Sequence, residues 1–166
     1  EVLAVGAHAD DIEIGCGGTI LHLAAAGFPL HVTWVVLAAA GVREREAVAS
    51  AAAFLKDVEQ TTVVLKSFRD GFFPWAGAEV KEVFEDLKGE VDPDLVIAPH
   101  RHDAHQDHRL VAELTWNTFR DHLILEYEIP KYDGDLGAPN VFVPLEEPIA
   151  AAKVEALLGS FPSQAG

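Results

Sequence analysis

Val2-Leu3-Ala4-Val5-Gly6-Ala7-His8-Ala9-Asp10-Asp11 decides how the chain is read. The run from Val2 to Gly6 is short, apolar and ended by glycine, the pattern of a β-strand buried on both faces. A histidine and two carboxylates then crowd into the four positions from His8 to Asp11. Such groups are costly to bury unless they are paired or bound to a metal. Gly15-Cys16-Gly17-Gly18-Thr19 follows, and after it the helical pattern of Leu21, Leu23 and Ala24. The opening is therefore a strand, a polar loop and a helix, with the chemistry expected in the loop.

Outward from there, strands and helices alternate. Residues 19–26 read as helix, stopped by Gly27, and 30–37 as a second strand favoured by Thr33 and Trp34. An alanine-rich helix is expected over 43–55, a third strand over 61–65, and a helix over 79–88, where Val80, Val83, Phe84 and Leu87 share a face. A fourth strand over 95–98 and a helix over 109–119 complete the pattern. This alternation predicts a single α/β domain over 1–166, a Rossmann-like three-layer sandwich whose mostly parallel sheet carries helices on both faces. Near the C-terminus a small additional β/turn region is expected: partial alternation over 123–129, turns over 130–139, a short strand over 141–143, then a helix over 150–158.

Composition narrows the function. At 166 residues and 49% hydrophobic, the chain is a folded domain with a sizeable core. Its net charge of -15 argues against nucleic acid as a partner, since phosphate recognition needs surplus Lys and Arg. The one cysteine, Cys16, cannot form an internal disulfide. No apolar run approaches the ~18 residues of a membrane span, and no signal peptide is visible, so the cytoplasm is the expected location. The chain opens on Glu1 and contains no methionine, and 38–41 is a poor connector. Terminal segments, and an internal loop near Ala40-Gly41, are therefore expected to be missing from it.

A second polar cluster, Pro99-His100-Arg101-His102-Asp103-Ala104-His105-Gln106-Asp107-His108, packs four histidines and two aspartates into ten residues. Like the first, it stands at the carboxyl end of an expected strand, the edge where open α/β sheets bind ligands. Histidine and carboxylate without a thiolate cluster point to zinc or a similar divalent transition metal. Three such ligands plus a water would make a catalytic site.

His8-Ala9-Asp10-Asp11 with Gly17-Gly18-Thr19, and His105-Gln106-Asp107-His108 downstream, resembles the LmbE/PIG-L-like zinc-dependent N-acetylglucosamine deacetylases. The resemblance spans most of the chain; the family usually has proline where Ala9 stands, a difference in backbone stiffness that removes no chemistry. It implies that His8, Asp11 and His108 hold Zn2+, that Asp10 is the general base, and that His105 steadies the oxyanion and protonates the leaving amine. Asp107 would orient and tune His105, raising its pKa. Arg43 and Asp70 match residues that contact substrate in the family. The implied substrate is a small N-acetylated sugar or its conjugate, and the implied assembly a homo-oligomer. The chemistry is coherent, because zinc brings the pKa of a bound water to about 7 and a nearby carboxylate can take its proton.

Other readings remain open at this point. Gly15-Cys16-Gly17-Gly18 could serve as a phosphate loop of a nucleotide-binding protein, although the spacing is not that of a dinucleotide fingerprint. The metal could act on another small ester or amide, or be held without catalysis. Phe72, Phe73 and Trp75 either wall a sugar site or pack on the core. Asp103 and His100 are expected to shape their loop.

Overall fold

The computed structural model describes residues 1–164. β1 (Val2–His8) is the middle strand of a five-stranded parallel sheet, with β2 (His31–Ala38) and β3 (Gln60–Leu65) on one side and β4 (Leu95–Pro99) and β5 (Leu123–Tyr127) on the other. Successive residues of β1 feed two cores: Val2 and Ala4 face one, Leu3, Val5 and Ala7 the other. A strand covered on both faces has no place for a polar side chain, so it reads as continuously apolar until His8. The first face is covered by α1 (Asp11–Gly15), α2 (Gly17–Ala25), α3 (Val42–Phe54) and α6 (Glu147–Ser160). The second is covered by α4 (Gly77–Glu90) and α5 (Gln106–Thr118). This is the expected three-layer α/β architecture.

The strand order β3-β2-β1-β4-β5 positions the site. From β3, at one edge, the chain crosses to β4 on the far side of β1, so the direction of winding reverses between β1 and β4. A crevice opens outside the carboxyl ends of strands at such a point. His8 ends β1 and residues 100–108 follow β4, which brings both polar clusters to that crevice.

Three local expectations are corrected. The glycine-rich stretch is a junction between two helices, not an open loop. A Cβ on Gly15 would run into the Tyr127 ring, one on Gly17 into Phe54, and one on Gly18 into Leu145. These glycines permit close packing, which removes the motive for a phosphate loop. The strand expected over 141–143 does not form; the segment has no regular secondary structure and no ladder partners, and Val141 and Phe142 are exposed. Apolar residues alone do not make a strand without a neighbouring edge to pair with. Finally, α5 starts at Gln106, three residues earlier than expected, because the His105 side chain accepts a hydrogen bond from Asp107 N (3.2 Å) and caps it.

One buried acid in α1 has a measurable consequence. Glu13 is wholly buried; Ser50 Oγ donates to its Oε1, and its Oε2 has no partner. Burial, outweighing the hydrogen bond from Ser50, pushes its carboxyl up to about 7. The folded state then holds a proton that the unfolded chain has released, so stability falls as pH rises from about 4.5 to about 7. Glu13→Gln is expected to remove this contribution. In metal-free protein at pH 8 the variant should be more stable than wild type by roughly 3 kcal/mol, and at pH 4 the two should converge. Urea unfolding at the two pH values reads the difference.

Candidate metal centre

His8 is the last residue of β1, Asp11 opens α1, and His108 lies in the first turn of α5. His8 Nδ1 and His108 Nε2 are 3.1 Å apart, and Asp11 Oδ2 lies 3.3 Å from His108 Nε2 and 3.5 Å from His8 Nδ1. A tetrahedral zinc with ligands at about 2.0–2.1 Å sets its ligands about 3.3 Å from one another. The triangle therefore has the edge lengths of one face of such a site. His8, His105 and His108 also form a looser grouping, with ligand atoms within 4.8 Å of one another.

The opposite nitrogen of each imidazole meets a carboxylate. His108 Nδ1 is 2.9 Å from Asp103 Oδ2, and His8 Nε2 is 3.1 Å from Asp107 Oδ2. A carboxylate behind a histidine fixes its tautomer, leaving the other nitrogen free for a metal. The His8 backbone N–H donates to Asp11 Oδ2 (2.8 Å), which fixes the third corner.

The electrostatics call for a cation. Burial lowers the pKa of His108, but hydrogen bonds with Asp103 and Asp11 outweigh it and carry it up to about 10. His8 is raised as well, burial being outweighed by Asp11 and then Asp70. Asp11, although buried, is held well below the usual carboxylate range by His108 and His8. A cavity that draws protons onto its histidines is short of positive charge, which a divalent ion would supply. By donor type, spacing and charge, the residues present fit zinc or a similar ion.

Asp10 caps the start of α1 at φ 126 and ψ -19, the one positive φ outside glycine among the described residues. Backbone in such a region costs on the order of 1–3 kcal/mol and persists only where its surroundings impose it. Burial, then the neighbouring Asp11 charge, push the Asp10 carboxyl above its usual value, and Arg43 draws it part of the way back.

His105 packs against both histidines, edge-on to His8 at 4.8 Å between ring centroids and tilted against His108 at 4.7 Å. Its Nδ1 accepts the α5 cap bond, so the neutral ring carries its proton on Nε2. Burial, then His108 and His8, lower its pKa, against a smaller upward pull from Asp107. Asp107 thus acts on His105 through its charge, in the expected direction, but burial and the neighbouring histidines outweigh it and no hydrogen bond joins the two side chains. The Asp107 carboxylate accepts from Gly71 N (2.7 Å) and Phe73 N (3.1 Å) and meets His8, because α5 turns it towards the 69–73 loop.

Asp70 lies on the outer side of the same ring, 3.1 Å from His8 Nε2 and 75% exposed. Arg43 reaches back from α3 and donates to Ala9 O and to Asp10 Oδ2 (2.7 Å). The aromatic trio divides: Phe73 is wholly buried against the core, whereas Phe72 and Trp75 are exposed. Asp103 does more than shape its loop, since it is buried and bonded to His108. An acid five residues before a histidine gives no periodic signal, which is why sequence reading missed it. Asp103→Asn is expected to weaken metal binding about 10–100-fold, read by chelator competition.

Residues 3–119 match the PIG-L family, described as GlcNAc-PI de-N-acetylase. The chain is 29% identical over 167 residues to an uncharacterised deacetylase, YaiS, of Escherichia coli K12, covering 94% of this chain and 88% of that one. Among solved structures, the N,N'-diacetylchitobiose deacetylase of Pyrococcus horikoshii superposes with a TM-score of 0.69 at 24% identity, over 94% of this chain and 67% of that one. A deacetylase of teicoplanin biosynthesis superposes with a TM-score of 0.78 at 17% identity, over 99% and 82% of the two chains. Among the described residues no helix is long and apolar enough to cross a membrane.

Proposed function

Because the chain belongs to the PIG-L family of deacetylases, we propose that it is a metal-dependent amidohydrolase that removes the acetyl group from an N-acetylated amino sugar or its conjugate. The observation that carries this reading is the His8–Asp11–His108 triangle with a carboxylate behind each histidine. Asp10 and His105, the base and acid the reaction requires, flank that triangle.

Zinc or a similar divalent ion held by His8, Asp11 and His108 would polarise the amide carbonyl and acidify a water. Asp10 takes a proton from the attacking water at its carboxylate. Its raised pKa keeps it a better base than an exposed aspartate. His105 donates from Nε2 to the oxygen that gains charge as the carbonyl becomes tetrahedral. The leaving nitrogen must be protonated before the C–N bond breaks; the proton that Asp10 took from the water replaces the one His105 gives to the nitrogen, so both groups return to their starting states. One water is consumed; acetate and a free amine are produced. Asp70, exposed beside His8, is placed to accept hydrogen bonds from sugar hydroxyls.

Protein with quantified metal should release primary amine, detected with fluorescamine, from members of a panel of N-acetylated sugars and their glycosides. Release from acetate esters with none from amides would move the assignment to an esterase. Inactivity of the fully loaded protein on the whole panel would overturn it.

A further inference from the structure

Arg43 is held on every side. Its Nη1 donates to Glu46 Oε2 (2.8 Å), its Nη2 grips Ala9 O and Asp10 Oδ2, and the Phe161 ring lies 5.2 Å from its guanidinium carbon. Glu46, itself buried, is bound in turn from the far end of the chain. Ser163 N donates to its Oε1 and Ser163 Oγ to its Oε2, both at 2.8 Å. A closed bracket thus runs from the 3-10 turn Pro162–Gln164 through α3 to the residue at φ 126. One planar guanidinium grips both the carbonyl before Asp10 and the Asp10 carboxylate. It therefore fixes the peptide and the side chain together, which a single hydrogen bond would not do.

We propose that Glu46, Phe161 and Ser163 are positioning residues: acting through Arg43, they hold Asp10 in its left-handed conformation beside the metal triangle, and none of them touches substrate. The role assigned to Asp10 rests on the reading above; the bracket itself does not. It makes the segment 161–163 part of the framework around Asp10, 150-odd positions away, although no motif there announces it.

The test uses the full chain with Ser163→Ala, Glu46→Gln and the double variant. Each single variant is expected to lower kcat about tenfold with KM within about twofold and bound metal unchanged. The double variant should be no worse than Glu46→Gln alone, since both act through one guanidinium. Effects that multiply, or a KM that rises while kcat holds, would overturn the proposal. Amide exchange of the segment 8–12 gives a second readout that needs no substrate. It should quicken in both single variants, and unchanged protection there would also overturn the proposal. If wild type releases no amine from any substrate, the functional reading fails and exchange still decides the bracket. Should Glu46→Gln fail to fold, Ser163→Ala, which removes one oxygen from an exposed residue, carries both measurements.

Discussion

Asp10→Asn is expected to retain its metal and to lose about 10²–10⁴-fold in kcat. Two adjacent aspartates could share one job, but their surroundings separate them. Asp11 is buried, held well below the usual carboxylate range, and 3.3 Å from a histidine nitrogen, so it is ionised and committed to the triangle. Asp10 is only partly buried, is shifted the opposite way, and keeps one oxygen free of Arg43. The amide in Asp10→Asn can still accept from Arg43 yet cannot take a proton. Metal content, measured by elemental analysis, should equal that of wild type while turnover collapses. Loss of metal in this variant, or retention of turnover, would reverse the division of roles. In Asp11→Asn the metal itself should be lost.

The second large effect is expected at Asp107. Its side chain is fully buried and accepts from Gly71 N and Phe73 N while backing His8. Asp107→Ala leaves two backbone N–H groups without their acceptor and leaves His8 Nε2 with only the exposed Asp70. Removing one partner of such a buried set costs about 3–5 kcal/mol, and metal affinity should fall about 10–100-fold with it. Urea unfolding of metal-free protein isolates the first effect, and chelator competition the second. A change in stability below about 1 kcal/mol would show that the 69–73 loop is held by other contacts. Gln106 Nε2, which donates to Gly71 O (2.9 Å), Asp70 against His8, and the buried Phe73 are further ties there.

How far this could be read from sequence differs from residue to residue. The sheet was legible because its inner strands are covered on both faces, which forces apolar runs such as Val2–Gly6 and leaves polar residues only past the ends. His8 and Asp11 stood out because they sit at and just past the end of a buried strand, and His108 because it belongs to the polar cluster that follows β4. What Asp103 and Asp107 do was not legible. Which imidazole nitrogen a carboxylate meets depends on ring orientation and on the turn at which α5 begins, and neither leaves a periodic trace. The expectation that Asp107 would serve His105 was right about nearness and about the sign of the charge effect, but the Asp107 hydrogen bonds go to Gly71 N, Phe73 N and His8, which sequence spacing could not show. The grip on Arg43 by Glu46 and Ser163 spans |i−j| = 117 from the serine to the glutamate, beyond any local pattern. The glycines misled in the opposite direction, since a glycine needed for close packing looks the same in sequence as one that cradles phosphate.

The central place of β1 also sets an order of events as the chain is made. His8 and Asp11 leave the ribosome ahead of the histidine that closes the triangle, which comes 100 residues after His8. At about 5–20 residues per second, the first two ligands wait roughly 5–20 s for the third. Until β4 docks against β1, the nascent chain offers only a weak two-point grip on any ion. Closure of the triangle therefore waits for β4 and α5, and a ribosome stalled before β4 would display only half of it.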